Sequence, residues 1–213
     1  MTIKATKGAC TLCGKEYTRS GMAKHLACCL TKQPTESIMD DERFSLHLQV
    51  TTRYPSGYWL HLQMDERATF KKLDTFLRKL WLECCGHMSQ FFVGRQTIGM
   101  QGRLATLLRP GDEIDYDYDM GDTTELQIKV LGAYQGLAPN KKSITILARN
   151  QPPEIPCDAC DRHPAVSICP ECNWEGEGWL CRKCTTRHSC GDAAGYLPIP
   201  NSPRAGVCGY TGA

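Results

Sequence analysis

The residues best able to do chemistry in this chain are its fourteen cysteines, because most fall in Cys-x-x-Cys pairs with histidines nearby. Cys10 and Cys13 form one pair, followed by His25 and the neighbours Cys28 and Cys29. Cys157/Cys160, Cys169/Cys172 and Cys181/Cys184 form three more, followed by His188 and Cys190, with His163 near the first of them. Two thiolates spaced this way grip one soft cation, and four thiolate or imidazole ligands complete the tetrahedron that Zn²⁺ takes. Disulfides are the other use of so many cysteines. The opening MTIKATKGAC has no apolar core segment, so no export signal is expected, and reduced thiols in the cytoplasm follow. Each cysteine-rich segment is also too poor in apolar residues to fold unaided; the last has only Ile168, Trp174, Trp179 and Leu180. Three zinc ions per chain are expected, in closed sites with a structural rather than catalytic role.

Cys10 through Cys29 resembles a ββα zinc finger with cysteine as fourth ligand, Tyr17 and Met22 occupying its two small-core positions. One residue is missing between them relative to the usual pattern. Either Cys28 or Cys29 can close the site, and the three-residue gap from His25 favours Cys29, so the expected ligands are Cys10, Cys13, His25 and Cys29. On this alignment the base-reading positions are Thr18, Gly21 and Lys24; a glycine there reaches no base edge, so sequence-specific readout is not expected. Phosphate contact is. Residues 1–33 carry six Lys or Arg against Glu16 alone, in a chain of net charge +2. Lys15, Arg19 and Lys24, helped by Lys4, Lys7 and Lys32, are the expected nucleic-acid contacts, a solvated basic face being the alternative.

The C-terminal cysteines resemble a cross-braced module of the B-box or RING kind. That resemblance implies one site from Cys157, Cys160, Cys181 and Cys184 and a second from Cys169, Cys172, His188 and Cys190. Sequential pairing of neighbouring knuckles stays open, as does His163 in place of His188 or Cys190. Trp174 and Trp179 flank a glycine-rich turn, where one can face a partner or both can pack beside the metals.

Around these ligands the chain divides into a finger (1–33), a polar linker (34–41), a central domain (42–150), a Pro-rich linker (151–156), the two-zinc module (157–192) and a polar tail (193–213) in which Cys208 has no knuckle partner. No stretch approaches the roughly 20 apolar residues of a membrane helix, so no membrane partner is expected. In the central domain Phe44, Leu46, Leu48 and Val50 alternate along one strand and Tyr58, Leu60, Leu62 and Met64 along the next, a hairpin turning at Pro55-Ser56-Gly57. Phe70, Leu73, Phe76, Leu77, Leu80 and Trp81 then recur at helical spacing, with Thr69 as N-cap and Gly86 as stop. Further strands are expected at 90–93, 113–120, 124–131 and 143–149, with a helical turn at 104–108. The fold class is α+β: a central, mostly antiparallel sheet with one main helix, flanked by a small ββα finger and a small loop-rich zinc module. His87 beside Cys84 and Cys85 reads as a satisfied buried cluster rather than another metal site.

Within the fourth of these strands, Asp115, Asp117 and Asp119 alternate with Ile114, Tyr116, Tyr118 and Met120, forming a self-repelling acidic row at spacings of about 7 Å. Matching the apolar residues to Leu126, Ile128 and Val130 puts Asp119 opposite Glu125 and Asp115 opposite Lys129. The row reads as a solvated face, a partner face for a basic group such as the finger, or a divalent metal site. Trp81-x5-His87-x3-Phe91 and the element from Gly111 through Tyr116-Asp-Tyr118-Asp-Met-Gly121-Asp122 together resemble the plasmid pRiA-type ORF-three-like family, also described as transposon-passenger resolvase-like, over roughly residues 42–150. Thr123-Thr124-Glu125-Leu126 stands where many members have a tryptophan. The resemblance implies a fold and a bacterial mobile-element or defence-associated setting, not an activity. The expectation is therefore a non-enzymatic zinc adaptor that touches nucleic acid with its finger and protein with its other modules. A pure protein-assembly factor is the alternative, and a metal-dependent enzyme built on the acidic row stands third.

Overall fold

The computed structural model describes residues 5–32, 43–54, 57–136, 142–191, 193 and 195–212. Lys4, the linker at 34–41 and the turn residues Pro55 and Ser56 lie outside them. The chain opens with a hairpin, β1 (Lys7–Ala9) and β2 (Glu16–Thr18), and helix α1 (Arg19–Thr31). β3 (Phe44–Thr52) and β4 (Trp59–Asp65) then pair antiparallel with Leu46 against Met64, Leu48 against Leu62 and Val50 against Leu60. The alternation of both strands thus lands on one face. Helix α2 (Phe70–Leu77) starts where Thr69 accepts a hydrogen bond from the Lys72 amide, as its capping chemistry requires. The main helix ends sooner than expected: its last turn widens into a π-helical segment (Arg78–Leu82), and Gly86 sits beyond it in a loop at φ +77°.

Strands β5 (Ser89–Val93), β6 (Gln96–Ile98), β7 (Glu113–Tyr118), β8 (Thr124–Gln135) and β9 (Ile144–Arg149) complete a seven-stranded, all-antiparallel sheet in the order β6-β5-β7-β8-β3-β4-β9, with a helical turn α3 (Leu104–Leu107). β6 escaped the sequence reading because three residues are too few to display a period. One face of the sheet is the apolar core: Leu48, Leu60, Ile128, Tyr116 and Phe91 pack against Phe70, Leu73, Leu77 and Trp81 of the helix, all without exposed surface. Burial on this scale is the main stabilising term. Asp74, fully buried on α2, accepts hydrogen bonds from Lys71, Ser89 and Tyr116, and so ties helix to sheet through a satisfied charge.

The finger covers part of the opposite face. Met22, Leu26 and Leu30 of α1 share a second apolar cluster with Trp59 of β4 and Leu147 and Ala148 of β9. The Thr11 amide donates to the Leu147 carbonyl and the Gln151 amide to that of Lys7. Gly8 lets β1 lie flat there, since a Cβ would stand 2.1 Å from the Arg149 carbonyl oxygen. Beyond Pro156 the chain forms a small sheet, β10 (Ser167–Ile168), β11 (Trp179–Leu180) and β12 (Leu197–Pro198), with helical turns α4 (Pro170–Asn173) and α5 (Arg182–Thr185). It then returns to the central domain, where Asn201 and Asn150 exchange hydrogen bonds and Ser202 donates to the Trp81 carbonyl. No helix among the described residues is long and apolar enough to cross a membrane.

Candidate metal centres

In the finger, a turn closed by the Gly14 amide donating to the Cys10 carbonyl, with Gly14 at φ +75°, points Cys10 and Cys13 the same way. One helical turn separates His25 from Cys29 on α1, which puts both toward that turn while Cys28 faces solvent. The four ligand atoms lie within 4.8 Å of one another, with Cys13 Sγ 3.2 Å from His25 Nε2. Tyr17 stacks on the His25 ring at 4.5 Å and holds its plane.

The C-terminal segment assembles two such groups, Cys157/Cys160/Cys181/Cys184 and Cys169/Cys172/His188/Cys190, each within the same 4.8 Å limit. The first knuckle therefore meets the third, and the second meets the last two ligands, because β10 and β11 pair and bring residues 169 and 181 to opposite ends of one short ribbon. His163 is exposed and joins neither group. Cys160 Sγ is 3.9 Å from Cys181 Sγ, and Cys172 Sγ is 3.7 Å from Cys190 Sγ and 3.2 Å from His188 Nε2. A tetrahedral zinc with bonds of about 2.3 Å to sulfur needs sulfurs about 3.8 Å apart, so the donor set and spacing fit that ion. Crowding makes the thiols oppose one another's ionisation: Cys190 beside it pushes Cys172 up to about 12, Cys181 does the same to Cys184, and burial followed by Cys10 raises Cys29 to about 12. A cation at the centre reverses that, since thiolates then face a positive charge.

A fourth group is present that local spacing did not reveal. Cys84, Cys85 and His87 meet Cys208, their ligand atoms again within 4.8 Å. The reading of His87, Cys84 and Cys85 as a buried cluster is corrected: Cys85 and Cys208 are exposed and the other two half-buried. Nothing in local spacing links position 208 to positions 84–87; only the docked tail does.

No protein-family model and no curated protein matches this chain. Among solved structures, a protein of unknown function from Methanosarcina mazei Go1 is similar at 18% identity, over 50% of this chain and 69% of that one, with a TM-score of 0.43.

The acidic row is not the one the alternation implied. β7 ends at Tyr118, and the observed register sets Asp117 opposite Glu125, Asp115 opposite Gln127 and Glu113 opposite Lys129, two residues away from the expected match. The shift preserves the face and changes every partner. Asp115 is held by Arg53 at 2.8 Å, while burial, then Glu125 and Asp115, raise the Asp117 carboxyl. Asp119 leaves the strand altogether: at φ +66° it turns inward and pairs with Arg204 of the tail. Met120 is 49% exposed and does not join the core face. The basic groups that meet these aspartates are Arg53, just after β3, and Arg204 of the tail, not the finger's cations.

Of the finger's cations, Lys15, Arg19 and Lys24 are exposed, and none forms an ion pair among the described residues. Thr18 stands at the N-cap position with no side-chain hydrogen bond to the helix and Gly21 has no side chain, so of the three aligned base-reading positions Lys24 alone carries a long side chain outward. Trp174 is 81% exposed and Trp179 half-buried.

Proposed function

We propose that this chain is a non-catalytic zinc adaptor, with structural zinc ions held by Cys10/Cys13/His25/Cys29, by Cys157/Cys160/Cys181/Cys184 and by Cys169/Cys172/His188/Cys190. The observation that carries this reading is that each group offers four protein ligands at tetrahedral spacing, which fills the ion's coordination and leaves no position for a reacting water. On the acidic face Asp119 is engaged by Arg204 and Asp115 by Arg53, and among the described residues its carboxylates do not gather into a ligand group as the cysteines do, which disfavours an enzymatic metal site there. A cytoplasmic location, and the mobile-element or defence-associated setting that the family resemblance implies, belong to this proposal.

The adaptor's nucleic-acid surface is the exposed basic side of the finger. Its apolar helix face is spent on the sheet, so Lys15, Arg19 and Lys24 meet phosphates rather than base edges. Its protein surface is the C-terminal module around the exposed Trp174. Fluorescence anisotropy with duplex and single-stranded oligonucleotides of mixed sequence, at about 50 and 200 mM salt, tests the first surface. Sequence-independent affinity falling steeply with salt, and a shallower slope in Lys15→Ala/Arg19→Ala/Lys24→Ala, is the expected result. No binding at low salt would leave the pure assembly factor as the reading.

A further inference from the structure

We propose that Cys84, Cys85, His87 and Cys208 form a fourth zinc site, which fastens the C-terminal tail to the central domain and exchanges its metal more readily than the other three. Cys208 Sγ lies 3.5 Å from Cys85 Sγ and 3.5 Å from His87 Nε2, and all four ligand atoms fall within the 4.8 Å that encloses each of the other groups. Those separations match the edges of a zinc tetrahedron with bonds of about 2.3 Å to sulfur and 2.0–2.1 Å to nitrogen. They are far longer than the roughly 2.05 Å of a disulfide.

Both halves of the site are shaped to present ligands. After the π-helical turn, Gly86 at φ +77° bends the loop so that His87 comes to the same side as Cys84 and Cys85. On the tail, Cys208 itself stands at φ +51°, between Gly206 at φ +80° and Gly209 at φ +66°. A non-glycine residue in the left-handed region is uncommon and is held there by its surroundings, frequently at a ligand.

The tail reaches this place through contacts that involve no metal. Ser202 donates to the Trp81 carbonyl, and Arg204 binds Asp119, the Asp122 carbonyl and Thr124. The same two charged groups then border the site: Arg204 Nη2 is 3.6 Å from Cys84 Sγ and Asp119 Oδ2 is 3.5 Å from His87 Nε2. The guanidinium against the Cys84 sulfur is a neighbour suited to orienting a thiolate ligand, whereas the carboxylate borders the same Nε2 that faces Cys208 and accepts no hydrogen bond from it once that nitrogen ligates. Exposure sets this site apart. Each of the other groups contains at least one buried cysteine, whereas here none is buried and Cys85 and Cys208 both face solvent. A chelator reaches it first.

Elemental analysis and native mass spectrometry of the full-length protein, purified under reducing conditions, test this. Four zinc ions are expected in the parent, three in Cys208→Ser and in Cys85→Ser, and four in Cys28→Ser, whose thiol belongs to no group. With the unligated Cys28 labelled from the outset, a limiting dose of chelator should expose Cys84, Cys85 and Cys208 to maleimide together before the cysteines of the other three groups, and render the chain after Pro200 protease-sensitive. This labelling order needs no variant to fold. Three zinc ions in parent and Cys208→Ser alike overturns the proposal, as does a parent in which Cys85 and Cys208 are disulfide-linked or alkylate freely in the presence of zinc. Failure of the three-site reading looks different: Cys13→Ser, Cys172→Ser and Cys184→Ser would then leave the metal count unchanged, whatever Cys208→Ser does.

Discussion

Arg204 and Asp119 form an ion pair across 85 residues of sequence, with the arginine completely buried. A buried guanidinium is tolerable only when most of its donors are used, and this one also serves the Asp122 carbonyl and the Thr124 hydroxyl through Nη1, leaving only Nε without a partner. The pair converts a polar tail into a docked element.

Removing that cation leaves the Asp119 carboxylate facing inward without its partner. Arg204→Ala is expected to cost on the order of 3 kcal/mol, and Arg204→Lys to rescue little because an ammonium cannot reproduce the planar fork. Thermal unfolding together with limited proteolysis after Pro200 measures both. A tail in Arg204→Ala as resistant as in the parent would mean that other contacts hold it.

Beneath the finger, His47 and His61 sit buried side by side, with Nε2 of the first 2.9 Å from Nδ1 of the second and the Gln49 amide 3.3 Å from His61 Nε2. Burial holds His47 at about 4; burial, then His47 beside it, holds His61 at about 3. Both values lie below the 6.5 of a free imidazole, so the unfolded chain takes up protons first. The stability that depends on the neutral pair is complete above pH 6.5 and is lost as pH falls through 4 toward 3, at up to about 1.4 kcal/mol per pH unit for each ring. Melting temperature against pH should therefore fall more steeply in the parent than in His47→Gln/His61→Gln between pH 6.5 and 4.5; equal slopes would clear the pair.

Gly8 lies where the finger meets the sheet. A methyl group there would collide with the Arg149 carbonyl and, at 2.6 Å, with the Trp59 ring. Gly8→Ala is expected to destabilise the protein by about 1–3 kcal/mol through overpacking, to speed hydrogen exchange in α1, and to leave the zinc count unchanged. Gly99→Ala, which meets nothing within 4 Å, is the control.

On the acidic face, the prediction separates two residues that alternation treats alike. Asp117 opposes Glu125, so its ionised form is disfavoured; Asp117→Asn should stabilise by up to about 0.5 kcal/mol at neutral pH. Because the folded carboxyl titrates above its unfolded value, that gain should vanish in acid, where the parent is protonated too. Asp119→Asn should act in the opposite direction, since it removes the partner of Arg204. Denaturant titration of both variants at pH 7 decides: a stabilising Asp119→Asn would mean that the ion pair contributes nothing.

Whatever depends on near neighbours was legible in the residues alone. The Cys-x-x-Cys turns, His25 and Cys29 one helical turn apart, Thr69 capping α2, and the alternation in β3 and β4 all follow from periods of two or four residues and from local backbone chemistry. The boundaries of β7 and α2 were less legible, because a positive φ at Asp119 and a π-turn before Gly86 answer to tertiary contacts rather than to propensity. Only the assembled structure could bring Cys208 to His87 and Arg204 to Asp119, lay Met22 and Leu26 on Trp59, and slide the register of β8 by two residues. The first three are meetings of residues far apart in the chain, whereas the register belongs to a local hairpin. A shift by two leaves every side chain on its own face, so the sequence pattern is equally satisfied by either register, and only packing of the whole sheet selects between them.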